Sequence, residues 1–160
     1  MLRAYQWALE RRSDSPCVVG AVIDLGNCLD LTQQGGIRAV KLAYQSYIAL
    51  QKRTGQSIPE NKSPKGSESN DLVLRYLDRA VIDHFHANFR AASTSDAGKT
   101  REFDTVRAMF PEGVPIYEKA GFLEKTHVQI AVRKQTQILG VFRIPAYQLE
   151  QMKIPDLYAF

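Results

Sequence analysis

The chain has 160 residues, a net charge of +4, 44% hydrophobic residues and 24% charged ones. That size is usual for one domain and buries a core without disulfide staples, and the balance excludes a coiled coil, a collagen-like fibre and a wholly disordered chain. No apolar run approaches the ~18 residues of a membrane span and no signal-type run follows Met1, so a cytoplasmic protein is expected.

The slightly basic balance permits an acidic partner such as nucleic acid or a nucleotide, without requiring one. Cys17 and Cys28 lack metal-type spacing. Cys17 opens an apolar run and reads as a buried thiol.

Leu2, Tyr5, Ala8 and Leu9 recur at helical spacing, with no capping residue ahead of them. This first helix reads as the continuation of something upstream. Ser13–Pro16 is turn chemistry. Cys17–Leu25 is continuously apolar, the pattern of a central strand covered on both faces. Residues 37–53 give the clearest early helix, with Asp30 or Thr32 as candidate caps and Thr54-Gly55 as the stop. Residues 55–70 are almost all polar, Gly or Pro and read as a mobile surface loop.

A second helix is expected over 71–90, capped by Asn70 or Asp71, followed by a polar loop over 92–102. Phe103–Phe110 and Glu124–Arg133 read as strands, 137–143 as a third, and 146–152 as a short helix before an apolar tail. The order predicts a single α+β domain over residues 1–160, with a small mixed or antiparallel sheet and two main helices.

The alternation in 124–133 carries the sharpest chemical signal. Thr126, Val128, Ile130 and Val132 share one face, predicted to be the buried one, and Lys125, His127, Gln129 and Arg133 share the other. Two residues apart, His127 and Gln129 point the same way and together can hold an amide or a ribose hydroxyl. The plainer reading of the same pattern is a solvated sheet face. Upstream, a loop carries Glu112, Tyr117, Glu118 and Lys119. Carboxylates there are candidates for general-base work or for stabilising a cationic transition state. Arg107 lies in an apolar strand, where a charge needs a partner or an anion; Asp104 is the candidate partner. His84 and His86, two apart on a helix, diverge by about 200° and cannot share one ion, so no metal site is expected.

The segments Val19–Leu31, Phe103–Arg107, Glu112-Gly113 and Gly121–Ile130 resemble an uncharacterised family of bacterial and phage proteins. Fuller members carry a His-Gly pair and a Gly-x-Gly-x-Tyr strand upstream of a helix like Leu2–Ala8, similar to the NAD-gripping part of ADP-ribosyltransferases. The resemblance implies an ADP-ribosyltransferase-like split sheet lacking that upstream part, with NAD as substrate, a protein or nucleic-acid acceptor and impaired catalysis. It implies Glu124 or Glu112 as the catalytic carboxylate, and His127, Gln129, Arg107 and Tyr117 as contacts to the dinucleotide. An incomplete sheet predicts exposed apolar surface near Cys17–Leu25 or Trp7 and a homodimer. The competing reading is a non-enzymatic module that binds nucleic acid or protein through Arg107, Lys125, Arg133 and Lys134.

Overall fold

The computed structural model describes residues 2–10, 17–63, 72–95, 102–145 and 147–148. Among them are three α-helices and two small sheets, an α+β arrangement as expected. No described helix is long and apolar enough to cross a membrane. Two compact units emerge: Met1–Asp24 with Gln135–Phe160, and Leu25–Lys134.

The first unit holds α1 (Leu2–Glu10), β1 (Val19–Ile23) and, from the far end of the chain, β5 (Ile138–Arg143). The strands pair antiparallel, with Gly20 opposite Phe142. The Phe142 ring occupies the space a Cβ on Gly20 would need. Val18 and Ile144 are buried just beyond the ladder and Tyr5 of α1 packs on them. The predicted central strand is therefore corrected: β1 belongs to a two-stranded sheet, and Val19 and Val22 are exposed. Cys17 is likewise exposed rather than buried. Its apolar run is continuous because neither face of so narrow a sheet is obliged to be polar, not because both are covered.

The second unit holds β2 (Cys28–Asp30), α2 (Gln34–Thr54), α3 (Tyr76–Ser95), β3 (Thr105–Phe110) and β4 (His127–Val132). The strand order is β2-β3-β4, parallel then antiparallel. Ala43 and Tyr47 of α2 are buried with Val81 of α3, flanked by Val40, Ile48, Leu77, Ala80 and Phe85. That is the helical stripe at work, and Gly55 in the left-handed region ends α2 as expected.

The caps differ from expectation. Gln33 precedes α2 and makes no side-chain cap bond. Asp30 and Thr32 are spent on each other: the Thr32 amide and hydroxyl both donate to Asp30 Oδ1, at 2.9 and 2.6 Å. These bonds, with Arg107 nearby, hold the Asp30 carboxyl below its ordinary range.

Helix α3 starts later than its apolar pattern suggests. Asn61 caps it from the preceding loop, its Oδ1 accepting the amides of Leu77 (2.9 Å) and Asp78 (3.2 Å). Lys62 and Leu74 exchange backbone bonds as an isolated bridge. Part of the predicted mobile loop is thus a structural clamp held by polar groups. Its residues 64–70, the candidate caps Asn70 and Asp71, and nearly all of the predicted 146–152 helix lie outside the described residues.

The β2–α2 junction is tight. A Cβ on Gly36 would collide with the Asp30 carbonyl, whereas one on Gly35 meets nothing. Gly36→Ala is expected to lower stability by about 1–3 kcal/mol through overpacking, and Gly35→Ala to raise it by roughly 0.5–1 kcal/mol through helix propensity. Denaturant midpoints of the two variants check this pair.

Candidate functional site

The register of β3 and β4 decides what faces the helices. Val106 pairs with Ala131, Ala108 with Gln129, and Phe110 with His127. By strand alternation these side chains share one face. A cleft of about 830 Å³ separates that face from α2 and α3. Its walls include Ile37, Val40 and Tyr44 from α2, Leu77, Val81 and His86 from α3, and Phe110 and Gln129 from the sheet. The predicted orientation of β4 is reversed. The face bearing Gln129 borders the helices, while Val128 on the other is 46% exposed. Polarity misled because the helix-facing side of this sheet lines an open cleft rather than a packed core.

His127 sits at one end of this face. Its Nδ1 lies 2.7 Å from the Lys125 carbonyl. A carbonyl only accepts, so Nδ1 carries the proton and the bare Nε2 accepts from the Gln129 amide at 2.7 Å. The Glu112 carboxylate lies 3.8 Å from the same Nδ1. Phe110 stacks on the imidazole at 6.1 Å between centroids. The structure thus hydrogen-bonds His127 to Gln129, whose end of this short polar chain lines the cleft, with the Glu112 carboxylate near the ring but outside the cleft lining. His127 has both nitrogens engaged within the protein and acts on the cleft by orienting Gln129.

The other candidates sit apart from this chain. Glu124 is exposed, its side chain folded against the space beside Gly113, which carries φ 94°. Tyr117 is exposed on the β3–β4 connection. Arg107 shares the opposite face of the sheet with its partner Ile130. It pairs with Asp30 at 3.4 Å rather than with Asp104, which is a correction. Asp104 is fully buried; it accepts the Asn27 amide at 2.8 Å and binds Lys134 Nζ at 2.6 Å.

Two groups that sequence reasoning did not assign to a site line the same cleft. Arg75 places its guanidinium 5.0 Å from the centre of the Phe110 ring. Asp78 holds it at 3.0 Å and is itself held by Asn61 at 2.7 Å, while the buried Arg75 Nε has no hydrogen-bond partner among the described residues. His86 is 2% exposed, sits against Phe85 and Phe103, and neither of its buried ring nitrogens has a hydrogen-bond partner among the described residues. Its sequence signal was a polar residue inside the apolar stripe of Val81, Ile82, Phe85 and Phe89. Reading it only as a metal ligand hid that. Among the described residues no three metal-ligating side chains gather. No protein family, curated protein or solved structure matches the chain.

Burial holds the His86 imidazole below its ordinary range, aided by Arg133 and Arg90 and opposed by Asp83 and Glu102. The unfolded ring takes up a proton near pH 6.5 while the native ring resists it. The unfolded state therefore binds more protons, and stability is expected to fall as pH drops through about 6.5. His86→Phe removes that slope and does not lower stability at pH 8, because the buried imidazole has no hydrogen bond to lose. Urea titrations of both proteins from pH 8 to 5.5 measure it.

Proposed function

We propose that the Leu25–Lys134 unit binds NAD or a closely related nucleotide in its cleft, as an ADP-ribosyltransferase-like domain acting on a macromolecular acceptor. The observation that carries this reading is the His127–Gln129 hydrogen bond, which fixes Gln129 at the wall of a largely apolar cleft large enough for a nucleotide. The resemblance of Phe103–Arg107 and Gly121–Ile130 to the transferase-like family adds the identity of the ligand.

In this reading the fixed Gln129 amide meets a polar group of the nicotinamide riboside. Leu31, Val40 and Tyr44 wall off its rings. As the glycosidic bond breaks, nicotinamide leaves with the bonding pair and positive charge develops on the ribose. A carboxylate beside it stabilises that charge until the acceptor nucleophile bonds to the anomeric carbon. Of the two candidates, Glu112 is the less exposed and stands 3.8 Å from His127 Nδ1, whereas Glu124 is exposed; neither lines the cleft.

The basic-face alternative draws less support. Arg107 and Lys134 are paired with Asp30 and Asp104, and Arg133 donates to the Phe103 carbonyl at 3.1 Å.

Calorimetric titration of NAD and a labelled-NAD transfer assay test the reading. Glu112→Gln is expected to keep NAD binding and lose about 10²-fold or more in transfer, while Glu124→Gln changes transfer less than about threefold. Absence of NAD binding overturns the reading. Binding without transfer by the parent chain removes the enzyme and leaves a nucleotide-binding module.

The first unit supports a homodimer. Among the described residues each strand of its two-stranded sheet has one edge with no neighbouring strand, and Val19, Val22, Leu139 and Val141 are exposed. Sedimentation at micromolar concentration should show a dimer, and Val19→Lys with Val141→Lys should return it to monomer. A parent chain that stays monomeric at every concentration rules this out.

A further inference from the structure

Resting on the reading of this cleft as a nucleotide site, we infer that Lys41 and Arg133 supply the positive charge by which it selects a ligand carrying a diphosphate over the neutral nucleoside. The charges along the cleft carry the inference. Among the described residues it is lined by four cations, Lys41, Arg75, Arg79 and Arg133, and two carboxylates, Asp78 and Asp83. Both carboxylates are taken. Asp78 pairs with Arg75 at 3.0 Å and Asp83 with Arg79 at 3.5 Å. That leaves Lys41 and Arg133, both exposed. Lys41 has no hydrogen-bond or ion-pair partner among the described residues. Arg133 donates to the Phe103 carbonyl at 3.1 Å, which orients its charge without neutralising it. The cleft therefore keeps an excess of two positive charges.

Most exposed lysines are simply solvated. Lys41 differs in its surroundings. Ile37 and Tyr44 lie four positions before it and three after, on the same side of α2, and both line the cleft with it. Apolar walls lower the effective dielectric, so a charge there acts more strongly on an entering anion than one in open water. A concave site with such walls also focuses the field of its charges. Arg133 adds a guanidinium fork that one carbonyl does not exhaust, and its remaining N–H groups suit phosphate oxygens.

The excess sets the ligand's charge. The diphosphate of a dinucleotide carries two negative charges and balances it. A neutral nucleoside offers the same base and ribose to the apolar walls and to Gln129, but gains nothing from the two cations. The attraction is electrostatic, so it weakens as salt shortens the Debye length.

The test titrates NAD, ADP-ribose, adenosine and inorganic pyrophosphate into the full chain and into Lys41→Gln, Lys41→Arg and Arg133→Gln, each first shown to be folded by circular dichroism. ADP-ribose is expected to bind about tenfold or more tightly than adenosine. Lys41→Gln and Arg133→Gln should each weaken NAD and ADP-ribose about fivefold or more and leave adenosine unchanged. Lys41→Arg, which keeps the charge, should stay within about twofold of the parent. Raising NaCl from about 0.05 to about 0.5 M should weaken ADP-ribose binding to the parent, and less so to either charge-removing variant. Should Arg133→Gln fail to fold, Lys41→Gln, at an exposed helix position, carries the test alone. NAD binding that the charge-removing substitutions leave within twofold, or adenosine binding as tight as that of ADP-ribose, overturns the inference and leaves the NAD reading standing. Pyrophosphate binding that these substitutions weaken, without binding of NAD or ADP-ribose, does the reverse. No binding of any probe overturns both.

Discussion

Everything in the larger unit hangs on the buried Asp104. Its backbone amide donates to the Asn27 carbonyl at 2.8 Å, and its Oδ2 accepts the Asn27 amide at 2.8 Å. Its carbonyl takes the amides of Arg133 and Lys134, and its Oδ1 meets Lys134 Nζ at 2.6 Å. The entry to β2, the start of β3 and the exit from β4 therefore meet at one residue. The neighbouring Thr105 adds a hydroxyl bond to the Leu25 carbonyl at 2.7 Å. A parallel edge strand of three residues has little ladder of its own, and this knot replaces it. Removing one partner of a buried charge pair typically costs about 3–5 kcal/mol, because the other charge is left unpaired. The half-exposed Lys134 moderates that figure, and the Asn27 bonds raise what depends on the carboxylate.

The knot also fixes register, and register fixes the site. With Thr105 opposite Val132, Ala108 falls opposite Gln129 and Phe110 opposite His127. A slip of one residue would turn Gln129 away from the helices and bring Val128 or Ile130 in. The stacking of Phe110 on His127, with Gln129 turned to the cleft, exists only in the register that Asp104 holds.

What was legible in the sequence follows the range of each interaction. Helix α2 was readable because Val40, Ala43 and Tyr47 mark one stripe and Gly55 ends it, all local signals. The start of α3 was not, because its cap, Asn61, stands 16 residues before Leu77. Strand β2 was hidden because Cys28–Asp30 is too short for any period and its partner β3 lies beyond two helices. The common face of His127 and Gln129 followed from a period of two, but which way that face turned did not. That depends on whether a core or a cleft lies beneath it. Arg107 needed an anion, as read, yet the near residue Asp104 was taken by Lys134 and the distant Asp30 served instead.

The same absence of packing explains both the missed orientation and the orphaned polar groups. Among the described residues of this unit, fully buried apolar side chains are few: Leu29, Ala43, Tyr47, Val81 and Val106. A sheet that close to two amphipathic helices would ordinarily interdigitate with them at crystal-like density. Here Ile37 and Tyr44 remain partly exposed at the cleft although they continue the apolar stripe of α2. Larger side chains in the gap would bury more apolar surface without changing the already buried His86 nitrogens and Arg75 Nε. In the reading proposed above, a nucleotide bound between the layers would supply that apolar area, and a ligand that bound only the folded chain would add to its stability through mass action.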